Sequence, residues 1–106
     1  MALTDWTKQG MAALPAEAEV VRKVVRTLKN AGQPIVKIHD GEESYSVNGE
    51  HDILNVVFNL DWARLYTADG SWVLIIMGNE YDALSDYSID LEDALKPFDE
   101  WYDTKA

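Results

Sequence analysis

Residues 63–78 read ARLYTADGSWVLIIMG, with Asp69-Gly70 between two extended runs. Asp-Gly supplies the positive backbone angles that a tight hairpin turn needs, so the segment predicts two antiparallel strands joined there. Every position from Trp72 to Met77 is apolar. A strand without polar alternation is expected to be covered on both faces, so this run predicts a central, fully buried strand with Trp72 in the core.

The flanking segments extend this hairpin into a sheet with helices. Upstream, PIVKIHD and EESYSV lie on either side of Asp40-Gly41, and Asn48-Gly49 follows. Ile35–His39 and Glu43–Val47 are therefore a second predicted hairpin. Between the hairpins, HDILNVVFNL places Ile53, Leu54, Val57 and Phe58 at the spacing of a short helix. The strongest helical period runs from Pro15 to Asn30, where Leu14, Ala18, Val21, Val25 and Leu28 recur at steps of three and four. Glu17 and Glu19 near its start, and Arg22, Lys23, Arg26 and Lys29 toward its end, complement the helix dipole, and Gly32 and Pro34 stop it. Ahead of it, Thr4 is placed to cap a short helix bearing Trp6 and Met11. Downstream, ALSDYSI alternates Ala83, Ser85, Tyr87 and Ile89 on one side, the pattern of a strand. Asp90 and Asp93 form a cap-like pair opening a last helix, in which Leu91, Leu95, Phe98 and Tyr102 continue through an expected kink at Pro97. The order is α-β-β-α-β-β-β-α. It predicts an α+β domain over residues 1–106, with an antiparallel or mixed sheet of about five strands and three helices on one side or at the ends.

The chain has 106 residues and 47% hydrophobic content, enough for one packed core and too rich in apolar side chains for disorder. It has no cysteine, which excludes disulfides, thiolate chemistry and Cys-bearing zinc sites and makes a cytoplasmic location the simplest expectation. MALTDWTKQGMAAL lacks the basic and apolar regions of a signal peptide, and Trp72–Met77 is too short to cross a bilayer. The net charge of −10 is unevenly spread: residues 1–39 carry six Lys/Arg and three Asp/Glu (+3), and residues 40–106 carry three and sixteen (−13). Such acidity repels nucleic acid and anionic membranes and attracts basic proteins.

Little in the sequence points to catalysis. His39-Asp40 and His51-Asp52 are candidate metal-ligating pairs, but their spacing matches no ligand motif and both fall where turns or caps are expected. Serines 44, 46, 71, 85 and 88 lack a nucleophile-elbow context, and the six glycines stand apart, without phosphate-loop spacing. Asp86, Asp90, Glu92 and Asp93 lack the alternating ligands and turn glycine of a calcium loop. No catalytic residue, metal or cofactor is assigned. The candidate partner-binding residues are Asp86, Asp90, Glu92, Asp93, Asp99, Glu100, Trp101 and Asp103, an aromatic anchor in an acidic rim, with Trp62 as a half-buried second aromatic.

Asp61, Trp72, Gly78, Asn79, Asp86, Tyr87 and Ser88 form a helix end, then W-x-x-x-x-x-G-N, then an acidic D-Y-S strand. Over residues 51–90 this resembles short uncharacterised acidic proteins of bacteriophages and bacterial mobile elements. The resemblance implies that biological setting and brings no activity. The function expected is a small, acidic, non-enzymatic protein-binding module with a basic protein partner and neither direct nucleic-acid nor membrane binding. Its sharp form is a nucleic-acid mimic that inhibits a basic nucleic-acid-handling protein, with carboxylates on neighbouring helical turns standing in for phosphates. The alternatives are an immunity or antitoxin protein blocking a toxin, and a metal-dependent or acid–base enzyme using His39 or His51 with carboxylates.

Overall fold

A computed structural model describes residues 15–78 and 80–105, and the short helix expected around Thr4, Trp6 and Met11 lies outside them. Helix α1 spans Pro15–Asn30, β1 Ile35–His39, β2 Ser44–Ser46, α2 Glu50–Val57, β3 Trp62–Thr67, β4 Trp72–Ile76, β5 Leu84–Tyr87 and α3 Lys96–Asp103. Short 3₁₀ turns at Glu80–Asp82 and Ile89–Leu91 flank β5. The five strands form one antiparallel sheet in the order β2-β1-β3-β4-β5. The α+β class and the predicted element order are thus observed. No helix among the described residues is long and apolar enough to cross a membrane.

Each junction has a local cause. Helix α1 ends in a Schellman arrangement: Gln33 N–H donates to Leu28 C=O at 2.8 Å and Gly32 N–H to Lys29 C=O at 3.0 Å, with Gly32 at φ 80°. Helix α2 starts after Gly49, and the Asp52 carboxylate reaches back to accept the Asn48 N–H at 2.9 Å. In the β1–β2 turn, Asp40 Oδ1 accepts the Glu42 and Glu43 N–H groups at 2.8 and 2.7 Å, and Oδ2 accepts the Tyr45 hydroxyl at 2.8 Å. In the β3–β4 turn, Asp69 accepts from the Thr67 hydroxyl at 2.6 Å and the Ser71 N–H at 3.1 Å. The carboxylates of both Asp-Gly turns therefore order the backbone on either side of the glycine.

The core lies between α1, α2, α3 and one face of the sheet. Val20, Val21, Val24 and Leu28 of α1 are fully buried, as are Ile38, Ala63, Leu65, Val73 and Ile75 of the sheet and Leu91 and Leu95 ahead of α3. The buried stripe of α1 is wider than the predicted one because the helix meets α2 and α3 as well as strands. Glu17 is also fully buried, and its carboxylate accepts the Gly78 N–H, tying the first turn of α1 to the end of β4.

Three expectations are corrected. Strand β4 is an interior strand, paired on both sides, but it is not covered on both faces: along it only Val73 and Ile75 are buried. Trp72, Leu74 and Ile76 are half-buried on the other side, so Trp72 is not core. Every described helix packs on one face, and the unbroken apolar run reflects an outer face that is itself apolar. The Asp90/Asp93 pair does not cap a helix. Ser88 precedes the 3₁₀ turn, and α3 begins only at Lys96. Pro97 therefore produces no kink: it sits in the first turn of α3, where its missing N–H has no intrahelical acceptor to lose. The strand expected over Ala83–Ile89 is shorter, and Ile89 is 83% exposed.

Candidate functional site

Alternation along β3 divides the sheet into two faces. Ala63, Leu65 and Thr67 point into the core, so Trp62, Arg64 and Tyr66 point out. Cross-strand pairing fills in the rest of that outer face, because antiparallel partners share a side. Trp62 pairs with Ile76, Arg64 with Leu74 and Tyr66 with Trp72. Lys37 and His39 of β1 pair with Tyr66 and Arg64, and Asp86 of β5 pairs with Leu74. No described helix covers this face. It is an apolar and aromatic ridge of Trp62, Tyr66, Trp72, Leu74 and Ile76, lying across β3 and β4.

Two cations lie against the ridge. The Arg64 guanidinium sits 5.0 Å from the Trp72 ring centroid, and Lys37 Nζ sits 4.9 Å from that of Tyr66. Both side chains extend the ring surface while keeping their charge in water. Trp62, 41% exposed, reaches across the sheet end onto the Asp40-Gly41 turn. There it helps to line a shallow cleft of about 510 Å³ with Asp40, Glu42 and Asp61.

Carboxylates flank the ridge. Asp40, Glu42 and Asp61 stand at the Trp62 end. Asp86 stands on β5, whereas Asp69 and Asp90, at the other end of the strands, are turned to the buried Thr67 and Ser71 hydroxyls. Backbone N–H groups of Glu43 and Glu42 hold Asp40 below the usual carboxylate range, with help from the Tyr45 hydroxyl, whose own pKa is pushed up to about 12 mainly by that hydrogen bond. The hydroxyls of Thr67 and Ser71 lower Asp69 and Asp90 respectively. Counting face and rim together, Lys37 and Arg64 stand against Asp40, Glu42, Asp61 and Asp86, so two positive and four negative charges leave −2.

The residues proposed from sequence fall into separate places. Asp86 belongs to the rim of the outer face, and Asp90 lies at the sheet end on the Ser71 hydroxyl. Glu92, Asp99 and Asp103 gather beside Tyr87 on the helical side. Burial, reinforced by Asp103 and Glu92, raises Asp99, and burial followed by Asp99, Glu92 and Asp86 raises the Tyr87 phenol. Asp93 is exposed and lies 3.5 Å from Lys96. Glu100 is exposed on α3 and is drawn into neither group. Trp101 is no anchor in an acidic rim. It is half-buried against Phe98 at 5.6 Å, with Lys105 Nζ 5.8 Å from its ring, and it faces the basic side of α1.

His39 serves local structure, its Nδ1 accepting the Gly41 N–H at 3.0 Å, and His51 is exposed in α2. Among the described residues no group of three or more His, Asp or Glu side chains is placed to hold a metal ion. Arg64, Tyr66, Leu74 and Ile76 were missed from sequence. Their signal was the period-2 alternation of WARLYT, read together with the facing register of WVLII. No family model matches the chain, and no curated protein or solved structure matches it.

Proposed function

We propose that this chain is a non-catalytic protein-binding module whose open sheet face takes a basic protein surface. One observation carries the reading: a sheet face that no described helix covers bears Trp62, Tyr66, Trp72, Leu74 and Ile76, with Asp40, Glu42, Asp61 and Asp86 at its margin. An apolar, aromatic centre with a polar rim is the anatomy of a protein interface. The rim's sign selects a partner rich in Lys and Arg.

Size sets the form of the contact. Strands β1, β3, β4 and β5 span roughly 14 Å across at about 4.8 Å spacing and roughly 17 Å along, so the flat face covers on the order of 240 Å². A stable interface needs about 800 Å² per partner, so the rim must take part. That favours the immunity or antitoxin form, in which a toxin is blocked by a shape-specific surface. The nucleic-acid-mimic form asks for a row of free carboxylates, whereas Asp90 is engaged by Ser71 and Asp93 lies beside Lys96. The bacteriophage or mobile-element setting accords with either form.

The test is capture from nuclease-treated bacterial lysate at low and high salt, using wild type, Trp72→Ala, Leu74→Glu and Asp86→Lys. The expected result is one basic protein held at both salts, lost with Leu74→Glu and weakened with Trp72→Ala and Asp86→Lys. A partner that all three variants retain would refute the assignment. A partner lost by wild type at high salt would restore the mimic form.

A further inference from the structure

On the helical side, away from the open sheet face, α1 and α3 bound a groove of about 380 Å³ lined by Arg22, Lys23, Arg26, Thr27 and Trp101, among others. Arg26 shares a side of α1 with Arg22, four positions before it, and with Lys23, three before it. The local charge opposes that of the whole protein. Arg22, Lys23, Arg26 and Lys105 stand against Glu19 and Glu50, leaving +2 on a chain of net −10.

These cations are not equally committed. Arg26 is held in a two-point pair by Glu50, at 2.5 Å from Nε and 3.0 Å from Nη2, which raises its pKa. Lys105 lies 4.0 Å from Glu19. Arg22 pairs with the Glu50 carboxylate more loosely: its Nε is sealed in, without a hydrogen bond and 3.6 Å from Glu50 Oε2, while 25% of the side chain stays exposed. Lys23 has no ion pair among the described residues and also lines the groove. An indole completes the site at the α3 side.

From this arrangement we infer that the α1–α3 groove binds a small aromatic phosphate of the nucleoside monophosphate class. The phosphate sits on Arg22 and Lys23, where a guanidinium fork matches phosphate oxygens and an ammonium adds a point charge. The base stacks on Trp101, a contact available to any base because every base has a π-face. The groove volume lies within the usual range for small-ligand sites.

Calorimetric titration at low ionic strength tests this, with adenosine 5′-monophosphate and inorganic phosphate as probes. Wild type is expected to bind the nucleotide saturably and about tenfold more tightly than phosphate. Trp101→Leu should erase that difference. Arg22→Gln should weaken both probes about tenfold, and Lys23→Gln should weaken both in the same direction. Should Arg22→Gln or Trp101→Leu fail to melt cooperatively by circular dichroism, Lys23→Gln decides the phosphate site and quenching of wild-type tryptophan fluorescence decides the stacking. No saturable nucleotide binding, binding unchanged in Lys23→Gln, or equal affinity for nucleotide and phosphate in wild type would each overturn the inference.

Discussion

Gly41→Ala joins the turn chemistry to the proposed interface. Gly41 has φ 101°, a region that L side chains rarely adopt, and a Cβ built there would stand 2.8 Å from Trp62 Cζ2. The backbone part should cost about 1–2 kcal/mol. The contact part should cost about 1 kcal/mol, at the low end of overpacking, because Trp62 is partly exposed and its ring can swing away. Together they give about 2–3 kcal/mol, a fall in melting temperature on the order of 10–15 °C. Urea unfolding of Gly41→Ala, Trp62→Ala and the double variant separates the two parts. In the Trp62→Ala background the cost should drop to about 1–2 kcal/mol, a coupling of about 1 kcal/mol between neighbours. An identical cost in both backgrounds would refute the contact. A Gly41→Ala variant within 0.5 kcal/mol of wild type, about the scatter of neutral surface changes, would refute the backbone argument as well. Because the ring must move, the variant should also lose partner affinity in proportion to Trp62's share of the interface.

Other outcomes follow from the same structure. Leu65→Ala should cost about 2–5 kcal/mol and Leu74→Ala about 1 kcal/mol or less by denaturant unfolding, since one side chain faces the core and the other faces out; equal costs would contradict a sheet covered on one face. Asp99→Asn should raise the melting temperature at neutral pH by about 1–4 °C, by removing a charge disfavoured by burial and by Asp103 one turn on. Asp99 has a raised folded pKa, so its charge works against folding at neutral pH. The gain should shrink as pH falls through that raised value and vanish below the ordinary carboxylate pKa of about 3.9. Ser71→Ala should show the opposite dependence. Asp90 is lowered mainly by the Ser71 hydroxyl, so its contribution is full above the unfolded carboxylate pKa and is lost as pH falls through the folded value. The stability difference between Ser71→Ala and wild type should therefore be larger at neutral pH than in acid, and a pH-independent difference would argue against the Ser71–Asp90 bond.

The elements of the fold were legible because each has a local cause in its own residues. The valines of α1 recur at helical spacing, the two Asp-Gly pairs turn the chain, and Gly32-Gln33-Pro34 closes a helix. Coverage of the sheet was not legible in the same way. WVLII reads alike in a strand buried on both faces and in one whose outer face is an apolar patch, because a strand's own residues do not say whether a second layer exists. Asp90 misled for a related reason. Aspartate beside a helical period is a good cap, but here its acceptor oxygens meet Ser71, nineteen residues earlier. Trp101 was read with its acidic sequence neighbours, yet a helix turns successive side chains about 100° apart, and Trp101 faces the basic helix while Asp99 faces Tyr87. The open face was implicit in the alternation of Trp62, Arg64 and Tyr66, which becomes informative once the register with β4 is known.

The strand order also bears on how the chain finds its structure. Three of the four strand pairings join elements adjacent in sequence, and β1 with β3 is the one that spans an intervening strand and helix. Ladders of this kind close short loops first and keep the entropic barrier low, which places such domains among the faster mixed α/β folders. The buried Glu17 carboxylate on the Gly78 N–H is the opposite case, bridging 61 positions. A contact of such long range is expected to form late, as α1 docks on the sheet. Glu17→Gln should then accelerate unfolding while leaving the refolding rate nearly unchanged, so this long-range tether sets how long the native state lasts and has little effect on how quickly it is reached.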